Sequence, residues 1–153
     1  MIDFVEGDIL KADAHALVNP VNCVGVMGRG VALQFKQAFP ENFRAYKAAC
    51  ANGQIRPGKP YVFDTGLSAN PALIINFPTK RHWRDKSRME DIDSGLKALT
   101  EIIRGRGLRS IALPALGCGL GGLEWGEVRP RMVEMLGAID RVRVIVYEPK
   151  ALD

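Results

Sequence analysis

With 153 residues the chain can bury one core but not two, so a single domain over residues 1–153 is expected. Its 47% hydrophobic and 25% charged residues exclude a disordered chain, a collagen-like repeat and a disulfide scaffold. The net charge of +4 is too small to name a polyanion as partner, yet Lys80, Arg81, His82, Arg84, Lys86 and Arg88 stand almost consecutively.

The start, Met1-Ile2-Asp3-Phe4-Val5-Glu6, lacks the basic flank and apolar centre of an export signal, and no apolar run approaches the roughly 20 residues of a membrane span. A cytoplasmic protein without a membrane partner is expected. Cys23, Cys50 and Cys118 then read as reduced thiols. They share no metal-ligand spacing, and His15 and His82 are isolated, so neither a metal nor a cofactor is expected.

Taken in chain order, apolar runs alternate with helical periodicity. Strands are predicted at Ile2 to Val5 and Ala16 to Asn19. Val31, Phe35, Ala38 and Phe39 then recur at helical spacing, and Phe43, Tyr46 and Ala49 do so after a break at Pro40. Strands at Tyr61 to Asp64 and Leu73 to Phe77 precede a long helix on Ile92, Leu96, Leu99 and Ile103 that ends at Gly105 and Gly107. A strand at Ser110 to Leu113, a helix on Val128, Met132, Met135 and Ile139 with Pro130 near its start, and a strand at Val142 to Tyr147 complete the chain. This is the pattern of an α/β domain whose sheet is covered on both faces.

Ligands of open α/β sheets bind beyond the carboxyl ends of the strands, so the loops there carry the functional signal. Gly117-Cys118-Gly119-Leu120-Gly121-Gly122 follows a strand and can turn several N–H groups toward one anion. It is not a Rossmann fingerprint, because only one helix and one strand remain after it, and no Lys-Ser or Lys-Thr makes it a Walker loop. A second glycine-rich loop, Gly25 to Gly30 with Gly28, Arg29 and Gly30, opens the helix at Val31, whose positive end can face the same group. The pair suits a diphosphate held by backbone amides.

Several side chains in these loops have two open readings. Asn19 and Asn22 can serve sugar hydroxyls or a water, or make turn bonds of their own. Asp8 can accept from an exocyclic amine or cap a turn. Tyr147 can stack on a base or fill the core. Cys23 and Cys118 read as small packing residues, with no histidine beside them to make a thiolate. Lys80, just past a strand end, is either a solvated lysine or an amine of lowered pKa, able to attack an anomeric carbon or act as acid. The segment after it offers Arg81, His82 and Arg84 to phosphates and Trp83 to a base, unless Trp83 is pinned to the core.

Gly7-Asp8-Ile9, Val18 to Cys23, Gly25 to Ala32, Leu113 to Gly122 and Tyr147-Glu148-Pro149 together resemble a macrodomain over essentially the whole chain. Val21 to Lys36 and Phe77-Pro78-Thr79-Lys80 resemble the lysine-dependent subgroup, which includes DarG-type DNA antitoxins. The resemblance implies a three-layer α/β/α fold with a mixed, mostly parallel sheet. It implies ADP-ribose as ligand, with adenine at Asp8, Ile9 and Tyr147, the distal ribose at Asn22, and the diphosphate between Gly28 to Val31 and Gly117, Cys118, Gly119, Leu120 and Gly121. Lys80 becomes the catalytic residue.

The implied activity is hydrolysis of ADP-ribose from thymine in single-stranded DNA, as antitoxin to a DarT-type ADP-ribosyltransferase, with this chain an N-terminal module of something longer. Gly121 stands where the lysine-dependent protein glycohydrolase carries an acid, which favours Lys80 acting on the departing base over a covalent adduct. A non-catalytic ADP-ribose reader, a hydrolase of protein carboxylate esters and a phosphatase of ADP-ribose 1″-phosphate use the same pocket.

Overall fold

A computed structural model describes residues 1–149. It contains a six-stranded sheet formed by β1 (Ile2–Val5), β2 (Ala16–Val21), β3 (Tyr61–Asp64), β4 (Leu73–Pro78), β5 (Ser110–Pro114) and β6 (Arg143–Tyr147). The order is β1-β6-β5-β2-β4-β3, parallel throughout except for β3, which runs antiparallel on the edge beside β4. The helices are α1 (Gly30–Ala38), α2 (Pro40–Ala51), α3 (Met89–Arg106) and α4 (Trp125–Leu136). None of the described helices is long and apolar enough to cross a membrane.

Strand alternation divides the interior. Ala16, Val18, Ile75, Phe77, Ile111, Leu113, Val144 and Val146 pack on the side of α3 and α4, against Ile92, Leu96, Leu99, Ile103, Val128, Met132 and Leu136. Leu17, Ile74, Ala112 and Ile145 face the other way, toward Phe35 of α1, and Val21 and Met27 join Tyr46 and Ala49 of α2. Both faces are therefore buried, which is why most strands read as continuous apolar runs rather than alternating ones. The α3 side chains at Ile92, Leu96, Leu99 and Ile103 each contribute about 1.5–3 kcal/mol by leaving water. Close approach of α3 to the sheet requires Gly95, where a Cβ would lie 2.7 Å from Phe77 Cε1.

The anticipated elements are all present, with shifted ends. Strands β2, β4 and β5 run beyond Asn19, Phe77 and Leu113 to Val21, Pro78 and Pro114. Proline has no N–H for the ladder, so β4 and β5 stop on it, at the edge where the site opens. Strand β6 begins at Arg143 instead of Val142. Gly105 lies inside α3, and the helix is ended by Gly107 in the left-handed region (φ 59°), with Leu108 N–H closing on Ile103 O at 3.0 Å. Ile139 is buried but not helical, because α4 stops at Leu136 and the chain turns at Gly137. Two 3-10 turns, Ile9–Lys11 and Gly119–Gly121, carry no periodicity long enough to be foreseen.

Candidate functional site

All five parallel strands end on the same side, and the segments leaving them line a single cavity of about 1270 Å³. It is bounded by Gly7-Asp8-Ile9 after β1, Tyr147 to Pro149 at the end of β6, Ala115 to Gly121 after β5, Asn22 to Gln34 after β2, and Thr79 to Lys86 after β4. At about 4.8 Å between neighbours, the five strands spread these segments over about 19 Å. The cavity is a trough across the sheet, with a different recognition element at each step.

At the β1 end, Asp8 caps a turn and borders the cavity. Oδ1 accepts from Leu10 N–H at 3.0 Å and caps the Ile9–Lys11 turn, and the residue lines the cavity, leaving Oδ2 for a donor. Ile9 is buried beneath it. Tyr147 packs on the core and borders the cavity, its Cε2 3.8 Å from where a Cβ on Gly7 would sit.

The loop after β2 is built around Asn22. Its Oδ1 accepts from Val24 N–H at 3.0 Å, Val26 N–H at 3.4 Å and Tyr46 O–H at 2.7 Å, while Nδ2 donates to Val26 O at 2.8 Å. Asn22 thus shapes the loop first and keeps one N–H for a ligand. The loop delivers the chain to Gly30 (φ 58°), the first residue of α1. Arg29 precedes it without a side-chain cap, so the N–H groups of Gly30, Val31 and Ala32 at the positive end of the helix border the cavity unengaged by a cap.

The loop after β5 faces this helix end. Gly117 sits at φ 76°, where a Cβ would come within 2.7 Å of Leu123 Cδ1, and Leu123 N–H closes the loop on Gly117 O at 3.0 Å. Cys118 leads into the Gly119–Gly121 turn. At its tip Leu120 is 55% exposed, and its Cδ1 lies 3.6 Å from where a Cβ on Gly30 would be. The two glycine-rich loops therefore meet across the trough where the Leu120 side chain reaches over Gly30.

Lys80 stands on the far side, after β4, half-buried at the cavity wall. Its N–H reaches Val21 O at 3.4 Å and its carbonyl accepts from Cys23 Sγ at 3.4 Å. Burial holds its pKa below the ordinary lysine value; Lys86 and Arg29 push it further down and Asp85 opposes them. The thiols have moved the other way: burial pushes both Cys23 and Cys118 up to about 11, which keeps them protonated and unreactive near neutrality.

Three expected site residues lie outside this lining. Asn19 is fully buried: Nδ2 donates to Asn76 Oδ1 at 3.2 Å and approaches Met27 Sδ at 3.7 Å. Asn76 in turn exchanges bonds with Asn42 of α2, at 2.9 and 3.1 Å. The pleat sends Asn19 beneath the sheet end, into an asparagine network that ties β2, β4 and α2 under the loop. Arg81 turns away to form a two-pronged pair with Asp91, both bonds 3.1 Å, the Asp91 side chain being 6% exposed. His82 takes Arg84 N–H on Nδ1 at 3.2 Å and its ring lies 5.3 Å from that of Trp83. Trp83 and Arg84 do line the cavity, with the Arg84 guanidinium 4.6 Å over the indole. A base reaching Trp83, which is 46% exposed, must displace one of these neighbours or cap the stack.

Two further residues belong here. Lys86 lines the cavity, and Ser87 behind it is buried against Gly121, donating its N–H to Gly121 O at 2.9 Å. The basic run signalled Lys86 only as one charge among several. Nothing in the sequence signals that Ser87 ties that run to the loop after β5.

The Macro domain family model matches residues 18–132, and the chain belongs to that family. A Thermus aquaticus protein named DNA ADP-ribosyl glycohydrolase is 56% identical over 149 residues, covering 97% of this chain and 41% of that protein. The solved macrodomain of Thermus aquaticus DarG superposes with a TM-score of 0.94 over 97% of this chain and 99% of that one. A Thermosipho africanus DNA ADP-ribosyl transferase-DNA ADP-ribosyl glycohydrolase fusion protein is 37% identical, covering 97% of this chain and 42% of that protein. A solved structure, Thermosipho africanus DarTG in complex with ADP-ribose, matches with a TM-score of 0.90 over 99% of this chain and 43% of that one. The chain spans about two fifths of the length of the curated relatives it matches.

Proposed function

We propose that this macrodomain binds ADP-ribose along the trough and hydrolyses its bond to thymine in single-stranded DNA, countering a DarT-type ADP-ribosyltransferase. The observation that carries the reading is Lys80, an amine of lowered pKa sharing one cavity with two glycine-rich loops. The names of the Thermus and Thermosipho relatives support the substrate, and the second name joins the hydrolase to a transferase.

The sheet order matches the order of parts in the ligand. Adenine takes Asp8, Ile9 and Tyr147 at the β1 end. The diphosphate takes the amides of Gly30 to Ala32 and of the Gly117–Gly121 loop, and the distal ribose takes Asn22. Anchoring the diphosphate fixes C1″ beside Lys80, so that the reaction draws on orientation already supplied by binding. The C1″–N bond lengthens with oxocarbenium character and leaves electrons on thymine. Protonated Lys80 stabilises or protonates that base, and water adds to C1″ to give free ADP-ribose.

The basic rim fits a nucleic acid better than a protein ester, and Gly121 itself offers no carboxylate to resolve an adduct on the lysine, although Asp85 borders the same cavity. The test is release of ADP-ribose from thymine-modified single-stranded DNA, run beside an ADP-ribosylated protein. Lys80→Ala retains free ADP-ribose affinity within a few fold and loses release. Turnover by this variant at the wild-type rate removes Lys80 from the chemistry.

A further inference from the structure

Arg81 follows Lys80 directly, but its guanidinium is held by Asp91 and lies outside the cavity lining. Lys86, which has no salt bridge among the described residues, does line the cavity from the same segment, as Arg84 does. Its position is imposed from two sides. Ser87 N–H is bonded to Gly121 O at 2.9 Å, and the Lys86 stem lies along Gly122, with Cδ 3.1 Å and Nζ 3.5 Å from where a Cβ on Gly122 would stand. Gly122 is in the left-handed region (φ 80°), so that a side chain there is doubly disfavoured. The ammonium thereby lies against Gly122, an exposed residue of the loop after β5.

We propose that Lys86 is a substrate-binding residue that grips a phosphodiester of the nucleic acid flanking the modified base, rather than the diphosphate of ADP-ribose. This rests on the proposed activity toward DNA. Two observations favour the phosphodiester. The diphosphate has backbone amides facing it from both glycine-rich loops, whereas Lys86 meets Gly122, which is exposed at the rim. Trp83 and Arg84, on the same segment, supply an aromatic face and a second cation beside it, the combination that follows a single strand. Arg29 and Asp85 also border this space; at Lys80, Arg29 adds to the positive field and Asp85 opposes it.

The test uses the intact chain with Lys86→Gln and Lys86→Arg, each checked for an unchanged melting temperature. On thymine-ADP-ribosylated single-stranded DNA, Lys86→Gln raises KM several-fold. Removing one phosphate contact makes the slope of log(kcat/KM) against log[salt] shallower by about 0.7. Lys86→Arg restores both, and titration with free ADP-ribose gives wild-type affinity in all three proteins. Equal weakening of free ADP-ribose and of modified DNA assigns Lys86 to the diphosphate and overturns the proposal. Wild-type KM and salt slope in Lys86→Gln overturn it while leaving the glycohydrolase reading intact. A wild-type protein that releases nothing from modified DNA sinks both.

Discussion

Gly121→Ala isolates the joint between the loop after β5 and the basic segment. Gly121 is buried, and its φ does not lie in the positive region that favours glycine, so alanine meets no backbone strain there. The obstacle is steric: the new Cβ would lie 3.1 Å from Ser87 Cβ and closer still to Ser87 Oγ, whereas real Cβ contacts are essentially never under 3.0 Å. Ser87 has little room to retreat, being buried with its own N–H bonded to Gly121 O. Overpacking of this kind costs about 1–3 kcal/mol. Part of that strain is relieved by lifting the loop, which moves the amides of Gly119 and Leu120 away from a diphosphate. Gly121→Ala is therefore expected to lower unfolding stability by about 1–3 kcal/mol and to weaken ADP-ribose binding, read by urea denaturation and calorimetry. Ser87→Gly removes the obstructing atoms, so the double variant recovers most of both losses, with a coupling energy above 0.5 kcal/mol. Additive single-variant losses, or undiminished ADP-ribose affinity in Gly121→Ala, refute the joint. Gly121→Asp obeys the same steric rule: an acid cannot be introduced there unless Ser87 is cut back as well.

Three further outcomes are expected. Because Lys80 has a folded pKa below its unfolded one, the unfolded chain binds more protons between those two values, so stability rises with pH across that window and the penalty is full below it. Lys80→Met is consequently more stable than wild type at neutral pH; in the wild-type enzyme the protonated amine gives a kcat that falls with rising pH, at a midpoint below that of ordinary lysine. A kcat that rises through this limb instead identifies the neutral amine as the reactive form. Asn76→Ala strips partners from both Asn19 and Asn42, all fully buried, at a cost of roughly 2–4 kcal/mol in denaturant unfolding, and a loss under 1 kcal/mol argues against the network. Arg81→Ala leaves the Asp91 carboxylate without its cation and lowers the melting temperature, yet it leaves the salt dependence of activity on modified DNA unchanged. A shallower salt slope in that variant returns Arg81 to the DNA face.

How much of this was legible depended on distance along the chain. Glycine spacing and the strand immediately before it are local, so both candidate phosphate loops and the position of Lys80 could be read before any tertiary structure was in hand. Asn19 was misplaced for a reason of parity. The sequence makes it the last residue of the strand, at the start of the loop, but β2 continues two residues beyond it to Val21, and the alternation of side chains sends Asn19 inward and leaves Asn22 at the rim. Arg81 was misplaced because its partner lies ten residues on, in the first turn of α3, where a carboxylate also suits the helix dipole. Neither Asp91 nor Ser87 carries a composition signal. Each acquires its role from a contact that exists only once β4, α3 and the loop after β5 are packed together.

The same packing accounts for what the site can discriminate. Order along the sheet, β1-β6-β5-β2-β4, sets the order in which a long ligand would meet a carboxylate, an aromatic ring, two sets of amides and an amine, so the proposed recognition of ADP-ribose needs no single strong contact. Backbone amides facing a diphosphate are indifferent to what hangs from the far ribose. Choice between a base and a protein ester must then be made beyond C1″, where this chain presents Trp83, Arg84 and Lys86. Exchanging these three for neutral, non-aromatic residues is expected to reduce activity on modified DNA and to leave free ADP-ribose affinity at its wild-type value, which separates the choice of substrate from the grip on the ligand they share.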